Sequence, residues 1–288
     1  MTEKKYELVD EGNGLYRIRA LRDFGKIKKG ELGGLVKSES NLSHDGLCWI
    51  SGNAQVTGNA QVSGSAQIRD NASVTGNAKV MGQAIVKDSA VITGNAIIDE
   101  RVMVFGCAMV FENSTLYGRV QAFGDCKIKG GAKAYDRAQI YGAACITGEA
   151  RVFGNAKVFD ECLVADRATV CENALVYGQA TIHGGAEVKG SAEVFDRSEV
   201  KDNAIIYGKA KIFGESIVED EVSVSGNSKV YGKARAYEKC TISGKAEVFG
   251  MSMVHGESQI IDDARVYDLA DIKGEARIRG NVYLCIFK

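Results

Sequence analysis

Between Tyr117 and Phe159 seven bases (Arg119, Lys127, Lys129, Lys133, Arg137, Arg151, Lys157) stand against three acids (Asp125, Asp136, Glu149), in a chain whose formal net charge is −1. Tyr117, Tyr135 and Phe153 recur there at intervals of eighteen residues, and Lys133 and Arg151 each lie two residues ahead of a ring. Aromatic faces interleaved with Lys and Arg suit a ligand made of a base and a phosphate: the ring takes the base, and the cation takes the oxyanion. Tyr117, Lys133, Tyr135, Arg137, Arg151 and Phe153 are therefore the candidate ligand-binding residues. A solvated charged face is the plainer reading of the same pattern.

Other residue types with chemical potential are placed less suggestively. His44 adjoins Asp45, which reads as a turn or as a catalytic pair. His183 and His255 lie 72 residues apart. The eight cysteines form no CxxC and stand at no ligand spacing to the histidines, so a zinc site is not expected. Cys126, Cys162 and Cys240 read as packing residues. Acids such as Asp160, Asp166, Asp196 and Asp202 could line up to hold Ca²⁺, but interspersed glycines make turn formation the simpler role. No GxSxG, phosphate-loop or dinucleotide fingerprint is present. No catalytic residue, metal or cofactor is expected.

These residues are positioned by one six-residue repeat that runs from Gly52 to Cys285 as 39 units without an insertion. The first position is Gly in 25 units and Asp or Glu in 14, the third is Ala in 26, and the fifth is Val or Ile in 34. Positions three and five share a face of a strand, so a small and a β-branched residue point inward together. Gly or an acid followed by a polar residue makes a tight bend. Each unit is a short strand plus a turn, and three units close a triangular coil of eighteen residues. Thirteen such coils would stack to about 62 Å at the usual strand spacing. The absence of proline fits a body in which strands donate to neighbours on both sides.

Position six faces outward. Sampled every eighteenth residue, one face gives Phe105, Phe123, Tyr141, Phe159, Tyr177, Phe195, Phe213, Tyr231, Phe249 and Tyr267. Rings one strand apart stack. If about 100 Å² of each stayed uncovered, roughly 1,000 Å² of aromatic surface would face solvent, more than monomers tolerate, so this file is the expected oligomer interface.

Residues 1–51 are out of register and read as an N-terminal cap, 52–285 as the repeat, and 286–288 as a C-terminal tail. The single tryptophan, Trp49, is placed to plug the open end of the prism. The apolar run Tyr283-Leu284-Cys285-Ile286-Phe287 is expected to close the last coil or to meet another chain. The charged start, Met1-Thr2-Glu3-Lys4-Lys5-Tyr6-Glu7, carries no signal-peptide pattern. The reduced cytoplasm is the expected compartment, or the host cytoplasm if the protein is viral. A pI near 6.4 argues against DNA or RNA polymers and against membrane surfaces as partners.

The repeat resembles the left-handed parallel β-helix of the hexapeptide-repeat superfamily. The resemblance implies an all-β, single-stranded left-handed parallel β-helix of about 13 triangular coils with a small N-terminal β cap, and assembly into a homotrimer. The lead-in from Gly25 to Val56 is similar to that of bacterial and phage hexapeptide-repeat proteins without settled chemistry, some described as transferases and some as polymer-forming. Acyltransferases of the superfamily carry a protruding loop and a catalytic His that this chain does not match. The expected function is a non-catalytic trimeric binding protein that holds a small anion such as a cyclic nucleotide in clefts between subunits. By analogy with phage proteins that sequester host nucleotide signals, it would be a sponge. A scaffold or polymer-forming rod is the alternative, and an acyltransferase-like enzyme the third reading.

Overall fold

A computed structural model describes residues 3–12 and 14–285; the tail at 286–288 lies outside the described residues. The chain divides into two compact units, Met1–Gly142 and Ala143–Lys288. Both are all-β and built from the same coil, and the short 3₁₀ turn Glu39–Asn41 is the helical element of the first.

The coil follows from the hexapeptide. Its fourth and fifth residues form a two-residue strand, as in Ile85–Val86 or Thr181–Ile182, with the fifth residue buried and the fourth turned out. The first residue takes the left-handed region at every acid as well as at the glycines: all fourteen acids at this position have φ between 57° and 63°. That conformation costs an L-residue roughly 1–2 kcal/mol. Most of the acids offset it with a carboxylate that accepts the backbone N–H one coil on, as Asp70 does from Asp88 (3.2 Å), Glu112 from Gly130 (2.8 Å) and Glu238 from Gly256 (2.7 Å). The alternation of Gly with Asp or Glu at the corners therefore has one cause.

In the first unit each strand pairs in parallel with the strand eighteen residues on, as in Ile85↔Met103, Val91↔Met109 and Ile97↔Thr115. Three such ladders make three faces. The second unit repeats the arrangement, with Leu163↔Thr181, Thr169↔Glu187 and Leu175↔Glu193. Inward positions are filled by Ala and Val or Ile at essentially zero exposure, which is the narrow core that the residue sizes predict. Five of the serines that replace Ala donate to a carbonyl three residues back, as Ser114 does to Phe111 (2.7 Å) and Ser216 to Phe213 (2.9 Å), whereas the buried Ser258 hydroxyl has no partner among the described residues. A column of corner amides, Asn59, Asn77, Asn95 and Asn113, is linked side chain to side chain at 3.0, 3.0 and 2.8 Å.

Ahead of the coils, Tyr6–Asp10, Tyr16–Ala20 and Leu32–Val36 form an antiparallel sheet. Its last strand then joins a parallel ladder through Leu35↔Gln55 and Val36↔Val56. Leu42 bridges Val62, and Trp49–Ile50 pairs with Gln67–Ile68. The parallel ladders thus start before Gly52. Trp49 does not plug the prism: it shares a register position with the outward Gln67, while Ile50 and Ile68 point in. It is buried from outside, by Phe24 of the cap, at a ring separation of 5.3 Å. The fully buried Lys5 ties the cap down, its amine donating to the carbonyls of Cys48 (3.0 Å) and Asp45 (3.4 Å), and burial pulls its pKa down.

Cys126, Cys162 and Cys240 occupy inward positions and are buried. Burial pushes the thiols of Cys162 and Cys240 up to about 12, from 9.0. An unfolded chain releases these protons above pH 9 while the fold retains them, so their stabilising contribution is complete below pH 9 and is lost as pH rises towards 12. Replacing Cys162 with Ala, the usual residue there, is expected to change little at neutral pH. At pH 11 it should spare the second unit about 3 kcal/mol of alkaline destabilisation, read from paired urea melts of native and variant chains.

Candidate functional site

The basic and aromatic strip is organised by two neighbouring strands of the first unit, Thr115–Leu116 and Lys133–Ala134, which pair in register. Tyr117 and Tyr135 follow them on the outward side and stack with centroids 5.0 Å apart and planes within 2°. Lys133 is exposed on the outward position just ahead of Tyr135. Arg137 is exposed at the corner that the left-handed Asp136 creates. The structure thus brings Tyr117, Lys133, Tyr135 and Arg137 onto one face and its edge.

Two further arginines belong with them. Arg119 and Arg101 occupy the same corner one and two coils earlier, so Arg101, Arg119 and Arg137 form an exposed column with a rise of about 4.8 Å per coil. Arg101 donates from Nε to Gln83 (3.2 Å), and Arg119 donates its backbone N–H to Asp136. Among the described residues none of these three guanidinium groups, nor Lys133, is ion-paired with a carboxylate. The second unit behaves differently: Lys201 meets Glu219 at 3.0 Å, Lys211 meets Glu193 at 2.9 Å, and Lys229 meets Glu247 at 2.9 Å. Sequence reasoning counted Arg119 only as part of a charge excess and passed over Arg101. The signal was the eighteen-residue interval, applied there to outward strand positions and not to corners.

Arg151 and Phe153 lie in the second unit. Arg151 is exposed on the strand Arg151–Val152, paired with Thr169, and Phe153 is half-buried. They hold the same place in the repeat as Lys133 and Tyr135.

The aromatic faces are less free than the sequence suggests. Tyr117 and Tyr135 are too close to admit a third ring between them. A planar ligand therefore meets no ring face between these two; the Tyr117 face that points away from Tyr135 lies on the side where Asp99 takes the preceding place in the file. A shallow cavity of about 500 Å³ opens on that side, lined by Asp99, Glu100, Arg101 and Arg119 with Gly82, Gln83 and Gly118. It offers two guanidinium donors for an oxyanion, and carboxylates that can accept an amino group.

The long aromatic file is outward and stacked in both units. In the first unit Phe105, Phe123 and Tyr141 follow one another at 4.8 Å. In the second, Phe159, Tyr177, Phe195, Phe213, Tyr231, Phe249 and Tyr267 follow at 4.7–5.2 Å with planes within 7°. Because neighbours cover both faces of an inner ring, every ring is half-buried within the chain. The uncovered area is therefore smaller than the sequence-based figure, and what faces outward is a strip of ring edges. Burial pushes the Tyr177 hydroxyl up to about 12, and it donates to Glu193 (3.3 Å).

The histidines have local partners. His44 Nδ1 accepts the Lys5 backbone N–H (3.1 Å), its Nε2 donates to Glu39 (2.8 Å), and its ring stacks on Tyr6 at 4.3 Å. Both nitrogens are thereby engaged by residues other than Asp45. His183 donates to Glu199 (2.8 Å) and His255 to Asp271 (2.9 Å). The acids at Asp160, Asp166, Asp196 and Asp202 accept backbone N–H groups of Gly178, Gly184, Gly214 and Asp220. Among the described residues no group of three or more His, Cys, Asp or Glu is placed to hold a metal ion, and no helix is long and apolar enough to cross a membrane.

Comparison with known protein families and with curated proteins finds no match to this chain.

Proposed function

We propose that the protein is a non-catalytic binding protein for a small phosphorylated aromatic molecule of the cyclic-nucleotide class, acting as a sequestering sponge and assembled as a homotrimer. The observation that carries this reading is the column Arg101, Arg119 and Arg137 beside Lys133 and the Tyr117–Tyr135 stack, four cations that form no ion pair with a carboxylate among the described residues. Unpaired guanidinium groups held in a row at successive corners of the coil are preorganised for an oxyanion. Arg151 and Phe153 stay in the proposed set on their place in the repeat alone. Assembly is supported by the strip of ring edges. In the second unit most charges beside it are already paired within the chain, as Lys211 is with Glu193 and Lys229 and Arg265 are with Glu247, so covering the strip there leaves Lys157 as the charge that a sister subunit would have to meet.

Isothermal calorimetry of the native chain against a panel of cyclic mononucleotides and dinucleotides tests the reading. Heat of binding is expected with at least one member. Lys133→Ala and Arg137→Ala are each expected to weaken it about tenfold, the scale of one charge-assisted contact. Arg151→Ala tests the second unit separately, and Lys211→Ala, a paired lysine elsewhere, should bind as the native chain does. A panel that gives no heat at all removes the proposal.

A further inference from the structure

A second recess lies at the other end of the first unit, where the cap loop folds against the earliest coils. Phe24 and Ile27 bridge each other through paired backbone hydrogen bonds (3.1 and 2.9 Å), and the loop between them stands over Trp49. The cavity measures about 550 Å³. Its walls are Phe24, Ile27, Leu47 and Trp49, and its rim carries Lys26 and Arg69.

Two features of this recess call for a ligand. Leu47 is 49 % exposed, although it sits beside Trp49 and Phe24, which are 4 % and 8 % exposed. Lys26 and Arg69 have no carboxylate partner among the described residues, and Arg69 donates to Gln67 instead. The one acid on the rim, Glu31, is occupied by the Lys28 backbone N–H at 3.1 Å.

We infer that this recess is a binding site for a small aromatic anion, a flat apolar body carrying one carboxylate, sulfonate or phosphate group. The apolar body displaces water from Leu47, Phe24 and Trp49, and the anionic group sits between Lys26 and Arg69. An apolar pocket with a few convergent polar groups is the usual form of a small-molecule site. This site is separate from the Tyr117–Tyr135 strip and does not depend on it.

The chain contains a single tryptophan, and it forms the wall of the recess, so its emission reports this site alone. The probe is 8-anilinonaphthalene-1-sulfonate, titrated into the native chain with excitation of Trp49. Saturable quenching of Trp49 with energy transfer to one bound probe per chain is expected. The double variant Lys26→Glu/Arg69→Glu should weaken binding at least tenfold, with the Trp49 emission maximum unchanged to show that the cap is folded. Lys133→Ala/Arg137→Ala should leave the titration as it is. No quenching of Trp49, equal affinity in the charge-reversed variant, or equal affinity for the uncharged N-phenyl-1-naphthylamine would each overturn the inference.

Discussion

Gly118→Val is expected to destabilise the first unit by on the order of 4 kcal/mol. Gly118 stands at a corner with φ 82°, and a Cβ built on it meets the backbone N and O of Asp136 at 2.7 Å, closer than real Cβ contacts come. The neighbouring backbone cannot rotate away as a side chain could, because it is the corner of the next coil. The left-handed conformation adds roughly 1–2 kcal/mol for any L-residue and more for a β-branched one. Most acids that occupy this position elsewhere recover that cost through a carboxylate–amide bond, as Asp160 and Glu172 do, and valine has no such group. In a solenoid the loss stays with the nearest neighbours. Hydrogen exchange should therefore accelerate chiefly in coils flanking residue 118, while amides near Val74 keep their protection. A Gly118→Val chain with native urea melting and native exchange would show that the corners are not under this constraint.

Replacing two adjacent rings of the long file, Phe195→Asp with Phe213→Asp, is expected to separate the proposed trimer into single chains. The two rings stack 4.9 Å apart, and each also stacks on an outer neighbour, Tyr177 or Tyr231. The substitution removes three stacked pairs at roughly 0.5–1.5 kcal/mol each, a cost the chain bears even alone. It also sets two like charges one strand apart within a surface that a sister subunit would have to dehydrate. Light scattering should give three times the 30.9 kDa chain mass for the native protein and one chain mass for the variant, with circular dichroism confirming retained β structure. A native protein that scatters as a single chain at micromolar concentration would end the trimer proposal and leave the ladder as intrachain stacking.

Much of the fold was legible because the repeat is strict. Inward Ala and Val, outward alternation, the parallel eighteen-residue register and the corner bends follow from residue size, strand periodicity and the left-handed tolerance of Gly and acids. The cap was less legible. The place of Trp49 at the run into the first coil suggests a plug for the open end, but its strand register turns it outward, where a loop twenty-five residues earlier covers it. No periodicity in residues 1–51 encodes that pairing. The candidate site was half visible: Lys133, Tyr135 and Arg137 carried a signal, whereas Arg101 was hidden at a corner position expected to hold turn residues.

By itself the sequence determined the repeating unit, because six-residue spacing of small, β-branched and bend-forming residues admits one way of burying the apolar side chains. Only the tertiary structure decided how the outward groups are used. It showed that aromatic faces are spent on one another, that most corner carboxylates serve backbone amides, and that several outward lysines of the second unit, such as Lys201, Lys211 and Lys229, are ion-paired while the arginine column of the first is not. Those outcomes depend on distances between residues eighteen apart and on competition among neighbours for one partner, and composition along the chain carries neither.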